Sequence, residues 1–171
     1  TEMFGFSHLS LLPVFARDVL QVGAGGLAVM IASWRAGGML GLLLLAALGD
    51  YRHKGMLMFG TVIAFGFGQM LLSVPLNIYL FLGVLAVINS VAMAADTLYK
   101  TMMQENVAEE QRGRAMGSWV ASLGASPVGH TGIGAVAGIL GAPIAIFLNG
   151  CILALTNIVF AISLPRIRRL E

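Results

Sequence analysis

The chain has 171 residues, of which 58% are hydrophobic and 11% charged, and its formal net charge is +2. A water-soluble domain carries about 25% charged residues, so this composition excludes a water-covered surface and makes the bilayer the solvent. The single Cys151 excludes an intrachain disulfide. The opening TEMFGFSHL lacks the basic segment of a cleavable signal peptide. A start at Thr1 rather than Met reads as a processed, truncated or incomplete chain.

A spanning helix needs about 20 mostly apolar residues. The first apolar run, Met3 to Phe15, is short, and Arg17 and Asp18 follow it. The second runs from Gly23 to Leu48 and ends at the polar stretch Gly49-Asp50-Tyr51-Arg52-His53-Lys54-Gly55. The third, Met56 to Val74, turns through Pro75 into the fourth, Leu76 to Met102, with Pro75 suited to the first turn of a new helix. Gln104 to Arg114 is the longest polar stretch. The fifth run, Gly113 to Leu140, turns through Gly141-Ala142-Pro143 into the sixth, Pro143 to Leu164. Backbone groups in lipid must be satisfied within the segment, so these runs read as helices, and they are too long for barrel strands. The fold class is therefore an all-α membrane protein, a single domain of six transmembrane helices over residues 1–171.

Charge sets the orientation. Arg52, Lys54, Lys100, Arg112, Arg114, Arg166, Arg168 and Arg169 fall on one side of this arrangement and Arg17 alone on the other. The excess marks the cytoplasmic face, which places both termini there. The basic C-terminus also suits anionic lipid.

Small residues permit close helix contact in lipid. The second span carries Ala24, Ala28, Ala32 and Ala36 as one ridge, with Ser33, Gly37 and Gly41 beside it. The third has Gly60, Ala64 and Gly68, and the fifth has Gly113, Gly117, Ala121, Ala125 and Gly129. Packing within the bundle is the favoured reading of each ridge. A sharper one sets spans two and five against another domain, subunit or larger membrane complex. Ser33-Trp34 in span two and Ser118-Trp119 in span five are a weak internal echo, each in the middle helix of a three-helix set. Paired three-helix repeats of inverted topology are a transporter plan.

Three stretches carry a family resemblance. They are Leu12-Pro13-Val14-Phe15-Ala16-Arg17-Asp18-Val19-Leu20 with Val22 to Gly26, the loop Gly49 to Lys54, and Gln104 to Val107 with Glu109 to Gly117. On these the chain resembles the C-terminal half, helices seven to twelve, of a major facilitator superfamily transporter, in the bacterial drug and siderophore exporter branch that includes enterobactin exporters. The loop at Asp50 is similar to that superfamily's motif A, but Ala46 and His53 stand where glycines belong.

The resemblance implies a half-domain of two inverted three-helix repeats in the bacterial inner membrane. It implies proton-coupled export of a small organic molecule, along a path that needs a second six-helix half. That half would be a missing domain, a separate chain or a second copy. The alternative is a non-transporting structural or assembly subunit of a larger membrane complex.

Several residues carry the functional expectations. The resemblance makes Asp50 a latch to the start of span five, completed by Arg52, Lys54, Arg112 and Arg114 with Asp96. Plain topology charges are the other reading. Arg35 lies mid-span in span two, where a charge is costly and marks function by default. It faces a cavity or partner acid, or it bonds backbone carbonyls. Asn89, Met93, Asp96 and Lys100 share one face of span four. Asp96 is then a coupling or cavity carboxylate, or simply the partner of Lys100. The resemblance makes spans one and four cavity-lining helices, with Phe4, Ser7, His8 and Asn89 as substrate contacts and Met93 lining the same cavity. Gln69, His130, Asn149 and Asn157 are expected to bond across helices. No His/Cys cluster with metal spacing, phosphate-binding loop or nucleophile–base pair is visible, so no metal, cofactor, nucleic-acid partner or enzymatic activity is expected.

Overall fold

The computed structural model of the chain describes residues 5–49, 53–74 and 77–163, and these are helical with short connections. The first span, α1, changes its winding twice, from a 3-10 segment Phe6–Leu11 through Leu12–Val14 to a π turn Phe15–Val19. The remaining helices are α2 (Gly23–Leu48), α3 (Lys54–Leu72), α4 (Ile78–Glu105), α5 (Glu109–Gly124), α6 (Ser126–Leu140) and α7 (Ala142–Ser163). By length and composition, five stretches can cross a membrane: α2, α3, α4, α5 and α6 taken together, and α7.

Several bounds differ from the sequence expectation. Span one runs on to Val19, so Arg17 and Asp18 sit in its last turn rather than after it. The backbone NH groups of Leu20 and Val22 reach back to the carbonyls of Phe15 and Ala16 at 2.8 Å each, which widens that turn. Gln21 then takes a left-handed φ of 53° and ends the helix. Span four continues to Glu105, because Gln104 and Glu105 can still extend helix beyond the lipid. Its start is set by Asn77, whose side chain accepts from the Leu80 NH at 2.9 Å. Span five begins at Glu109 and breaks at Ala125, where Pro127 enters the first turn of α6 without the NH that a continuous helix needs. The expected bounds Met3, Leu76 and Leu164 lie outside the described residues.

The helices pack in the spatial order α2, α4, α3, α7, α6, α1, and the end of α1 touches α2 again. Exchanging spans one and four, two and five, and three and six turns the α2–α4 contact into the α6–α1 contact. It returns the α3–α7 contact to itself.

Glycines set the two closest approaches. A Cβ on Gly37 or Gly41 would collide with the backbone of Ala86 or Ser90 on α4. Gly66 and Gly150 face each other between α3 and α7, where a Cβ on Gly150 would stand 2.6 Å from the Gly66 carbonyl. Phe15, Phe65, Phe81, Leu85, Ile88 and Ile146 fill the interior behind them.

Candidate functional site

Most of the polar side chains singled out within the described spans fall into three groups, and the helices decide which. The first lies between α2 and α4. Ser33 Oγ donates to the Leu82 carbonyl at 2.8 Å, and Asn89 Nδ2 donates to the Trp34 carbonyl at 2.6 Å. Both bonds cross the seam that Gly37, Gly38 and Gly41 hold narrow. Met93 sits on Gly38, whose Cβ would stand 3.0 Å from Met93 Cγ. Asn89 and Met93 thus join two helices of one chain. They do so because the glycines bring α2 over that face of α4.

Asp96 and Lys100 follow on the same face. Lys100 Nζ donates to Asp96 Oδ2 at 2.7 Å and lies 4.4 Å from the centre of the Trp119 ring. Two anion- and ring-derived attractions thus hold the ammonium, and through it α5 is tied to α4. Asp96 Oδ1 is buried without a hydrogen-bond partner.

The second group joins α1, α3 and α7. The Gly5 carbonyl accepts from His8 Nδ1 at 2.8 Å and from Gln69 Nε2 at 2.7 Å. Gln69 Oε1 in turn accepts from Asn149 Nδ2 at 2.7 Å. His8 meets the Phe65 ring edge-on at 5.7 Å between centres. Ser7 and His8 are both 0% exposed. This face of α1 packs against α3, α6 and α7. Phe4 lies outside the described residues. Gln69 and Asn149 do bond across helices, whereas Asn157 donates back to the Leu153 carbonyl of its own helix at 2.8 Å.

The third group is the expected latch. Asp50 and Arg52 lie outside the described residues. Lys54 Nζ donates to both carboxylate oxygens of Glu105, at 3.0 and 2.8 Å. Arg112 and Arg114 are exposed on α5. Among the described residues, no hydrogen bond or ion pair joins either arginine to Asp96 or Glu105. Among the described residues, Lys54 pairs with Glu105 and Asp96 with Lys100. Glu105 was missed because its partner lies 51 residues away. The one local signal was an acid at the end of span four facing a basic loop. A cleft of about 330 Å³ lies beside the pair, lined by Leu42, Ala46, Lys54, Thr97, Thr101 and Glu105 among others.

Arg35 stands apart from all three groups. It is the thirteenth residue of a 26-residue helix, so about 18 Å of helix separate it from either end at 1.5 Å per residue. It is exposed, and so are Ala24, Ala28, Ala32 and Ala36 of the same helix. Its guanidinium lies 4.9 Å from the ring centre of the adjacent Trp34. Among the described residues, no hydrogen bond or ion pair holds it. On α5, Gly113, Gly117 and Ala121 are likewise exposed, and that helix has no buried residue.

At the C-terminal end of α1, Arg17 and Asp18 pair at 2.6 Å. The hydrogen bond from Arg17 holds the Asp18 carboxyl below its ordinary value. Among the described residues, no group of three or more His, Cys, Asp or Glu has metal-binding geometry.

Comparison with protein families matches residues 2–171 to the transmembrane secretion effectors. Searches of curated proteins and of solved structures returned no match. The all-helical architecture agrees with a membrane half-domain of the major facilitator superfamily. The chain is a multi-pass membrane protein that belongs to the transmembrane secretion effector family of major facilitator superfamily transporters.

Proposed function

We propose that the chain is one half of a proton-coupled exporter of a small organic molecule, and that its path forms against a second six-helix half. One observation carries the reading: Arg35 is exposed in the middle of α2. A charge at that depth is too costly to leave facing hydrocarbon. It sits among Ala28, Ala32 and Ala36, whose small side chains allow another helix to approach closely. The same holds for Gly113, Gly117 and Ala121 on α5. A water-lined path between two halves satisfies the arginine and covers both ridges. The positive excess on the Lys54–Glu105 side supports cytoplasmic termini in a bacterial inner membrane. The exchange symmetry of the helix contacts supports two inverted three-helix repeats.

The test has two steps. Cysteines placed at Ala28 and Ala32, in a chain with Cys151→Ala, are cross-linked in native membranes. A six-helix half captured at both positions supports the reading. Unrelated helices captured there favour the structural subunit. The captured assembly is then reconstituted, and substrate-dependent proton flux is compared with that of Arg35→Ala and Asp96→Asn. Unchanged flux in Arg35→Ala removes the arginine from the path.

A further inference from the structure

The row of polar groups between α1, α3 and α7 ends in two imidazoles. A carbonyl only accepts, so the bond to Gly5 puts the His8 proton on Nδ1. In the neutral ring Nε2 is then a bare lone pair, and it is buried with no hydrogen-bond partner. His130, in the first turns of α6 just past the break in span five, also has a buried Nε2 without a partner. The segment of α1 that carries His8 packs against α6, which carries His130. Unpartnered buried nitrogens are uncommon and call for an explanation. Here two are gathered where α1 packs on α6.

Other charges are remote from this place. On α3 the titratable group is Lys54, fifteen residues before Gln69 and engaged by Glu105. On α6 it is His130 itself, and on α7 it is the half-buried thiol of Cys151. On α1, Arg17 and Asp18 pair with each other at the exposed end. Asp96, by contrast, already has a cation fixed one turn along its own helix.

We propose that His8 and His130 together form one proton-accepting site within the membrane. The first proton gives the pair a single positive charge, and like-charge repulsion then opposes the second. The Gly5 carbonyl fixes His8 in the tautomer that presents the accepting nitrogen. The role of the site rests on the proton-coupled reading above: the coupling proton loads at the imidazole pair, and Asp96 stays outside the cycle. Because His130 follows the break at Ala125, charge at the pair acts on the joint of span five.

The chain holds three histidines, so imidazole nitrogen NMR of the 15N-labelled chain in lipid nanodiscs resolves each one. Titration over roughly pH 4 to 8 follows their protonation. His130→Gln is expected to move the His8 midpoint, and His8→Gln the His130 midpoint, by about one pH unit. His53→Gln moves neither. If His8→Gln disturbs the fold, His8→Asn reads the same coupling. Midpoints that ignore the other imidazole overturn the proposal. So does Zn²⁺ bound at neutral pH through both rings with no coupled protonation. The readout needs no substrate, so failure of the transport reading leaves it intact. Uncoupled imidazoles, conversely, remove the site without touching the flux result.

Discussion

The seam between α2 and α4 makes a quantitative prediction. Replacing Gly37 by Ala adds one methyl that meets the carbonyl of Ala86, a backbone atom that cannot swing aside as a side chain can. To restore ordinary contact the two helices must part by about 1 Å, and a gap of that size forfeits a quarter to a half of the dispersion attraction between facing atoms. It also strains the Asn89–Trp34 and Ser33–Leu82 bonds, which cross the same seam at 2.6 and 2.8 Å. Overpacking of this kind costs about 1–3 kcal/mol. Gly41 makes the same approach to Ser90 one turn on, so Gly41→Ala should cost a similar amount. The double variant should cost less than the sum, because helices already parted accept the second methyl more easily. Gly60 is the control: a Cβ there meets nothing within 4 Å, and Gly60→Ala should stay within about 0.5 kcal/mol of the parent. Stability is measured by SDS-driven unfolding of the chain in mixed micelles, followed through Trp34 and Trp119 fluorescence. The reasoning fails if Gly37→Ala unfolds with the parent, or if Gly60→Ala loses as much as Gly37→Ala.

In a double-mutant cycle of Lys54→Met and Glu105→Gln, the coupling should stay below about 1 kcal/mol and fall with added salt, because Glu105 is 45% exposed. Asp96→Asn leaves the Lys100 ammonium with the Trp119 ring and should cost about 1 kcal/mol, while Lys100→Met added to it should recover part of the loss in the same unfolding assay. Arg17→Gln should raise the Asp18 titration toward its ordinary 3.8, as read by carboxyl carbon NMR. The sign follows from the lowered carboxyl. Its stabilisation is present above the ordinary value and fades as pH falls through the lowered one.

Hydropathy was enough to find the helical runs, because a charge-poor chain leaves few places for a break. It could not see winding. Nothing in Phe6 to Val19 distinguishes 3-10 from π geometry, since both depend on which carbonyl the next NH can reach once neighbours are in place. Pro127 was the visible mark of the break at Ala125, but the small-residue rhythm of span five read through it. The ridges were legible as contacts and ambiguous as to partner. Gly37 and Gly41 close on α4, while the alanine ridge of the same helix points away. Gly66 and Gly150 escaped notice because each matters only through the other, 84 positions apart in the chain. Polar residues within the spans were found as a set, but periodicity gave no means to separate those satisfied inside the chain, such as Asn89, from the one left outside, Arg35. That division depends on which helices lie side by side.

The first span can be considered as a screw rather than a rod. Six residues wound at three per turn, Phe6 to Leu11, rise about 12 Å, whereas an α-helix would lift them about 9 Å. The tighter winding also turns each residue about 20° further than α geometry, close to 120° over the whole segment. Length and facing in this span are thus one variable. Rewinding Phe6–Leu11 as α-helix would shorten it by about 3 Å and carry His8 around the axis in the same motion.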